Sequence, residues 1–432
     1  MNSDDMTKPI RIALITTAPE AIMSFLGEQI RLLAARGYEV HTISSPGLER
    51  FPGHENLESH HHETTMRRPM RPVADVLSLY RLWLLLRQIR PDLVQTHTPK
   101  AGLLGMIAAS LAGVPIRIYT VNGLPMRVQP LWGRLVLALT ERLACTLATE
   151  VLCVSRSARR VLVGTGLCAS CKCRVLGDGG SHGVDTVKFS PASHGAASRA
   201  TIRMRYGIPE DALVVGYIGR IVPAKGINEL ALAWAMLREV FPQLRLLLCG
   251  YAEPDHPIDP MLLESLRSDP RVHFTSGRVT DMPPIFAALD INVLPTYCEG
   301  LPNVVLEASA MNVPTVATRV PGCVDTIRDG ITGLLVKPKD PEALAVALRY
   351  LVENPECRER MGIAARKFVT RRYPEDRISG LLLKRYQDLL EGVRGHSSKT
   401  ALIADEIPMV VGATRSSPPE ASTGGMVSNA HN

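Results

Sequence analysis

The chain has 432 residues, 46% of them hydrophobic and 21% charged, which fits two or three domains with sizeable cores rather than a disordered or fibrous chain. Its formal net charge of +7 favours anionic partners: phosphates, nucleic acid or an acidic membrane surface. Aromatic residues are only 5% and no nucleic-acid recognition module is present, which sets nucleic acid aside, and nine cysteines, an odd number, suggest free thiols in a reducing cytoplasm rather than a disulfide framework.

The N-terminus, MNSDDMTKPIRIALITT, carries acidic residues where a secretion signal needs basic ones, so no secretion is expected. IRIALIT (10–16) reads as a buried strand and AIMSFLGEQIRLLAARG (21–37) as a helix ending at Gly37. YEVHTIS (38–44) is the next strand, and ADVLSLYRLWLLLRQIR (74–90) a helix. DLVQTH, IRIYTV, EVLCVS and KCRVLG continue the strands, with helical segments between them. The longest uncharged apolar run, 101–116, falls short of the ~20 residues of a spanning helix and is broken by Gly and Pro. Strands alternating with helices imply a parallel sheet covered on both faces, with ligands at the carboxyl ends of its strands.

The pattern pauses over 189–212, rich in Ser, Ala, Gly and Pro, and then restarts. LVVGYIG (213–219) is a strand, GINELALAWAMLREVF a helix and LRLLLCG a strand; RVHFTS, INVLP, TVAT and GLLV follow as strands. The α/β chain thus divides into two doubly wound domains, 1–190 and 191–374, facing a cleft. Helical patterns close the ordered part, the last over 375–394, and 395–432 lacks a sustained period and reads as a disordered tail.

Chemistry concentrates in two loops of the second domain. GRIVPAKG (219–226) follows a strand and leads into a helix, whose first N–H groups and dipole suit an anion. Arg220 and Lys225 add two cations at the same strand end, the provision a diphosphate needs; the competing reading is a βα loop with two surface cations. EGLPNVVLE (299–307) places Glu299 on a loop and Glu307 about one turn into the next helix, with Pro302 in the entering turn and Asn303 as the expected cap. Carboxylates repel phosphate but accept hydrogen bonds from hydroxyls, so the pair suits a ribose or a hexose.

Three other segments carry competing readings. GDGGSHGVD (177–185) is not a dinucleotide fingerprint, because His182 stands where the third glycine is required; it reads as a Gly-rich turn feeding a linker, or as a cleft loop presenting Ser181, His182 and Asp185. CASCKC (168–173) has no second Cys or His pair at metal-site spacing, so no metal is expected. HHHETTMRRPMRP (60–72) joins a basic segment to the helix carrying Trp83; its leucines read as core, its arginines as a contact for an anionic membrane surface.

GRIVPAKG, then YCEGLPNVVLEASAMNVPTVAT, then DGITGLLV, in this order and spacing, resemble retaining glycosyltransferases of the GT4 family, which have the GT-B fold of two Rossmann-like domains. In the first half, ARGYEVHTISSPG (35–47), HTPKAGLLGMIAA (97–109) and YTVNGLP (119–125) resemble the bacterial subgroup that builds polysaccharide or glycan on a lipid carrier. The resemblance covers about residues 10–390. It implies a nucleotide-sugar donor, most simply a UDP-sugar, in the second domain and a lipid-linked (polyprenyl diphosphate) saccharide acceptor in the first. It further implies retention of configuration, no cofactor or metal, and a cytoplasmic protein peripherally associated with the inner face of the cytoplasmic membrane.

By the same resemblance, Arg220 and Lys225 neutralise the donor diphosphate beside Gly219, and backbone amides of Gly300, Leu301, Pro302 and Asn303 line the donor phosphate and sugar. Glu307 accepts both ribose hydroxyls, and Glu299 holds donor-sugar hydroxyls near the reacting carbon. One position departs: Asn122 stands where relatives usually carry a His, and an amide cannot hold positive charge. His97 and Lys100, with Ser181 and His182, are acceptor or cleft candidates, His97 being equally readable as a structural histidine. Two other classes remain open at this level: a sugar-nucleotide epimerase of the same fold, and a catalytically weak binding or scaffold protein of a polysaccharide-synthesis complex.

Overall fold

The computed structural model describes residues 8–66, 71–124, 130–253, 257–275 and 279–404. β1 (Arg11–Ile15), β2 (Glu39–Ser44), β3 (His60–Glu63), β4 (Leu93–His97), β5 (Ile116–Val121), β6 (Glu150–Cys153) and β7 (Cys173–Arg174) form one sheet in the order β3-β2-β1-β4-β5-β6-β7. All of its pairings are parallel. β8 (Leu213–Ile218), β9 (Leu244–Cys249), β10 (Val272–Phe274), β11 (Ile291–Leu294), β12 (Thr315–Thr318) and β13 (Gly333–Val336) form a second parallel sheet, ordered β10-β9-β8-β11-β12-β13. In each sheet the strand order reverses once, beside β1 and β4 in the first and β8 and β11 in the second. Loops leaving those carboxyl ends splay apart and open a crevice there.

The strands read as continuous apolar runs because helices cover both faces of each sheet. Alternate residues of β1 illustrate this: Ala13 and Ile15 pack into one cluster with Leu82, Leu86 and Met106, while Ile12 and Leu14 pack into another with Ile30 and Leu33. The second cluster also holds Leu382, Leu383 and Tyr386 of the last helix (Glu375–Ala404). That helix therefore returns to the first domain after the second is complete. Arg385 Nε donates to Glu150 at 2.8 Å, and Gln29 Nε2 to the Tyr386 hydroxyl at 2.8 Å. The part of the expected tail from 405 to 432 lies outside the described residues.

Three elements differ from the sequence reading. HHHE, taken as part of a basic segment, forms the edge strand β3, paired in register His41↔His60 to Ser44↔Glu63, with His41 and His62 stacked at 5.3 Å. A half-exposed edge strand needs no apolar alternation, which is why periodicity did not show it. β7 is only two residues long. The pause over 189–212 contains a helix, Ala196–Arg205. Its anchor is polar: buried Arg203 donates to the carbonyls of Ala288, Glu210 and Ala212 and pairs with Asp290 at 2.9 Å. Among the described residues no helix is long and apolar enough to cross a membrane.

Candidate functional site

β8 delivers Gly219 and Arg220 to the crevice, followed by a 3₁₀ turn, Pro223–Lys225, and the helix Ile227–Arg238. Gly226 joins turn to helix at φ +73°, and a Cβ there would lie 2.0 Å from the Pro295 carbonyl oxygen, so only glycine fits. The Tyr217 hydroxyl donates to the Arg220 carbonyl at 2.6 Å, fixing the backbone beneath the arginine. Arg220 Nη1 in turn donates to both carboxylate oxygens of Glu253 at 2.9 Å. Burial lowers the Arg220 pKa, but the Glu253 hydrogen bond and charge outweigh it and hold the guanidinium above its ordinary value. Lys225 Nζ forms an ion pair with the Glu299 carboxylate, both groups being largely shielded from solvent.

β11 delivers the second loop to the same place. The Tyr297 N–H donates to the Ala224 carbonyl at 3.0 Å, and the Thr318 hydroxyl donates to the Thr296 carbonyl, so the two loops and β12 form one unit. The helix that follows is Asn303–Ala310, and its cap position is Pro302, not Asn303 as expected. Asn303 is instead the first helical residue, and its amide reaches across the crevice: Nδ2 lies 3.2 Å from His182 Nε2. Four residues further on, Glu307 lies one turn into the same helix. Burial pushes its carboxyl pKa up to about 7, opposed only by the charge of Lys188. A half-ionised carboxyl near neutral pH is poised to gain from any ligand that donates hydrogen bonds to it.

The first domain meets this loop closely. A Cβ on Gly300 would sit 1.9 Å from the Asn122 carbonyl oxygen, so glycine there lets the two backbones touch. The Cys298 thiol donates to the Leu124 carbonyl at 3.3 Å. Nearby, the Gly322 N–H donates to Ser157 Oγ at 2.8 Å, and the Ser157 N–H and hydroxyl both donate to the Asp325 carboxylate. Ser157 lies in the first domain, Gly322 and Asp325 in the second, so this cluster clasps one domain to the other. The loop that carries Glu299 and Gly300 thus holds Lys225 on one side and meets the Asn122 backbone on the other, and the helix that follows it carries Glu307.

Asn122 Oδ1 is buried and has no hydrogen-bond partner among the described residues, a costly arrangement at a domain junction. His182 is enclosed between Ser181 Oγ, 3.0 Å from Nδ1, and the Asn303 amide, and burial lowers its pKa to about 4. It is a neutral bridge from the Gly-rich loop to the start of the Glu307 helix. His97, at the end of β4, is fully buried with neither ring nitrogen partnered among the described residues, and burial lowers its pKa to about 3. It lines a small cavity of about 20 Å³ with Gln95, Thr120 and Ser181 of the Gly-rich loop. Lys100 pairs with Asp75 at 2.7 Å, both partly buried, which ties its helix to the preceding one, Pro72–Ile89.

The structure pairs Lys225 with Glu299 and Arg220 with Glu253, sets Asn303 against His182 and brings the backbones of Gly300 and Asn122 together, with Glu307 one turn into the helix that Asn303 starts; Lys100 is engaged by Asp75, and His97 shares a small cavity with Ser181. Sequence reasoning missed Glu253, Lys188, Ser157 and Asp325. Glu253 stands four residues beyond β9, and its spacing from the other loops carries no periodic or motif signal. Ser155 caps the helix Arg156–Gly164 through the Ala158 N–H at 3.2 Å, which marks the turn in sequence but not Ser157's reach to the other domain. Within CASCKC, Cys168 and Cys173 are buried and Cys171 exposed, and Cys173 Sγ lies 3.3 Å from Cys153 Sγ. Among the described residues no group of three metal-ligating side chains is gathered. Of the basic segment, Arg67 and Arg68 lie outside the described residues, as does Pro125 of YTVNGLP.

Comparison with known proteins agrees with this geometry. The model for Glycosyltransferase Family 4 matches residues 24–180 and that for Glycosyl transferases group 1 matches residues 198–368. The chain is 32% identical over 385 residues to the capsular polysaccharide biosynthesis glycosyltransferase CapM of Staphylococcus aureus, covering 89% of this chain and 99% of CapM. It is 27% identical over 293 residues to the UDP-Gal:alpha-D-GlcNAc-diphosphoundecaprenol alpha-1,3-galactosyltransferase of Escherichia coli, covering 67% of this chain and 74% of that enzyme. Among solved structures, Anabaena HepE in complex with UDP-glucose superposes with a TM-score of 0.71 at 18% identity, covering 88% of this chain and 100% of HepE. At that identity the likeness speaks for the fold alone, two Rossmann-like domains in the GT-B arrangement.

Proposed function

This chain belongs to glycosyltransferase family 4, and on that premise we propose that it moves a sugar from a UDP-sugar to a lipid-linked saccharide acceptor, with retention, in cell-surface polysaccharide or glycan assembly. The observation that carries the reading is the shared wall of the crevice: Lys225 and Arg220 beside a helix start, Glu299 and Glu307 within the same loop–helix unit. As the bond between the sugar carbon and the diphosphate oxygen breaks, negative charge grows on the departing diphosphate. Two cations and oriented N–H groups stabilise that charge, which is the task a metal ion performs elsewhere. Glu307 then accepts the ribose hydroxyls and Glu299 the hydroxyls of the sugar in transfer. The Ser157–Asp325–Gly322 clasp holds the domains together over the reacting groups, and exclusion of water favours transfer over hydrolysis.

The relatives named above support the acceptor class, since one of them is named for a GlcNAc diphosphoundecaprenol acceptor. Peripheral membrane association has support in the first domain. The helix Leu131–Leu147 turns small residues and Glu141 inward and leaves Leu131, Trp132, Leu135, Val136, Leu139 and Leu143 exposed, Trp132 by 81%. Arg142 lies on the same side and Arg134, also exposed, flanks it near the helix start, a pattern that suits an anionic lipid surface.

The test is direct. Purified protein, membranes and a panel of radiolabelled nucleotide sugars are incubated, and label is sought in the lipid fraction. Transfer that survives Glu307→Ala unchanged would remove the donor-site assignment, and activity abolished by EDTA would remove the metal-free mechanism.

A further inference from the structure

A cavity of about 950 Å³ opens beside the crevice, between the loops after β1, β2 and β3, the start of the helix Pro72–Ile89, and Tyr251 and Glu253 of the second domain. None of the acceptor candidates read from the sequence lines it. Three arginines do: Arg50, Arg71 and Arg81. Among the described residues neither Arg71 nor Arg81 has a carboxylate within ion-pair distance, and Arg50 approaches only Glu49, at 3.9 Å on an exposed surface. Two carboxylates share the lining, Glu20 and Glu253, and Glu253 is already engaged by Arg220. A concave site with this surplus of guanidinium focuses positive potential, and the planar fork of arginine matches phosphate oxygens.

The same helix continues from this charged lining into an apolar one. Leu77 lines the cavity, and Val73, Val76, Leu77, Tyr80 and Leu84 recur at helical spacing with their side chains exposed, Val73 by 87%. An apolar stripe left uncovered by the described residues and starting at a cluster of cations is complementary to an amphiphile with an anionic head and a long apolar chain. It does not suit a free sugar or a soluble phosphate alone.

We infer that this cavity receives the diphosphate of the lipid-linked acceptor on Arg50, Arg71 and Arg81, while the lipid leaves along Val73, Val76, Leu77, Tyr80 and Leu84. The inference rests on the transferase reading above and assigns it an acceptor site. The saccharide then extends toward Glu253, whose partner Arg220 belongs to the donor side.

The experiment uses the full chain and farnesyl diphosphate as the probe, titrated by calorimetry in the presence of saturating UDP. UDP titrated alone reports on the transferase reading, so its failure is read separately. Farnesyl diphosphate is expected to bind beside UDP, and Arg71→Ala and Arg81→Ala each to weaken it about tenfold to a hundredfold. Arg81→Lys is expected to recover part of the loss, and Leu77→Ser to weaken farnesyl diphosphate more than inorganic diphosphate. Equal binding of farnesol would overturn the role of the arginines, and equal binding of inorganic diphosphate the role of the stripe. Displacement of farnesyl diphosphate by UDP, or arginine variants that bind like the parent protein, would overturn the site.

Discussion

Replacing Glu307 by Gln keeps the side chain's shape and one carbonyl oxygen and removes its charge. Burial holds this carboxyl near a pKa of about 7 before a ligand binds. At pH 8 it is mostly ionised and offers two ribose hydroxyls a charged acceptor. A hydrogen bond to a charged group is worth ~1.5–3 kcal/mol against ~0.5–1.5 for a neutral one, so two such bonds put the loss at roughly 2–3 kcal/mol. That corresponds to UDP binding weaker by about 30- to 150-fold. At pH 6 about nine tenths of the parent protein already carries the proton, and the gap between parent and variant should narrow about tenfold. The sign follows from linkage. Donated hydrogen bonds favour the ionised form, so the pKa in the complex falls below about 7, binding releases a proton in that window, and affinity rises with pH until about 7 and then levels. In the free protein the raised pKa acts oppositely on folding: this group's contribution is fullest below its unfolded value of 4.5 and is lost as pH rises through about 7. Calorimetric titration of UDP at pH 6, 7 and 8, in two buffers of different ionisation heat, counts the released protons. The diphosphate's own titration is common to both proteins and cancels in their difference. Equal UDP affinity and equal proton release for parent and Glu307→Gln would refute the assignment.

Glu253→Gln removes the carboxylate that competes for Arg220, and UDP affinity should rise about threefold to tenfold in the same calorimeter; a weaker complex would mean that Glu253 positions Arg220 rather than competes for it. Ser157→Ala takes a hydroxyl from Asp325 and an acceptor from the Gly322 N–H, a loss of about 1–3 kcal/mol across the domain junction. Small-angle scattering should then show a larger radius of gyration, and an unchanged profile would remove the clasp from the mechanism. Asn122→Ala removes a buried oxygen that lacks a partner, so the protein should melt no lower than the parent while kcat/KM falls at least tenfold. Unchanged turnover would make Asn122 a bystander.

Both domains were legible because their strands are apolar runs of four to six residues separated by amphipathic helices, a pattern that survives without tertiary information. The proposed donor residues could be named for a related reason: Arg220, Lys225, Glu299 and Glu307 sit on loops and a helix start that immediately follow strands, where a parallel sheet presents its ligands. Long-range partners were not. Nothing local marks Arg203 as the polar anchor of a helix, or tells that Ser157 meets Asp325, 168 residues away. His97 is open in the sequence for the same reason: a histidine at the end of β4 has an address that suits a ligand or the sheet's own packing, and burial beside the cavity it shares with Ser181 is a long-range outcome that no local pattern carries.

The pairing of charges across the donor wall also bears on specificity. Lys225 holds Glu299, and Arg220 holds Glu253. A molecule carrying only a diphosphate would draw the two cations away and deprive both carboxylates of those ion pairs. A molecule carrying only hydroxyls would satisfy the carboxylates and gain little, because each is already neutralised by a cation. A nucleotide sugar carries both functions on one frame: the diphosphate takes the cations, and the hydroxyls of its sugar replace them at Glu299. The exchange is complete only when both ends arrive together, so existing ion pairs that weaken the binding of fragments cost the whole donor less. Because Glu253 lines the cavity proposed for the acceptor and also accepts from Arg220, one side chain touches both proposed sites. A donor whose diphosphate draws Arg220 toward itself would change the hydrogen bonding of Glu253 at the acceptor cavity, coupling the two bindings through that side chain.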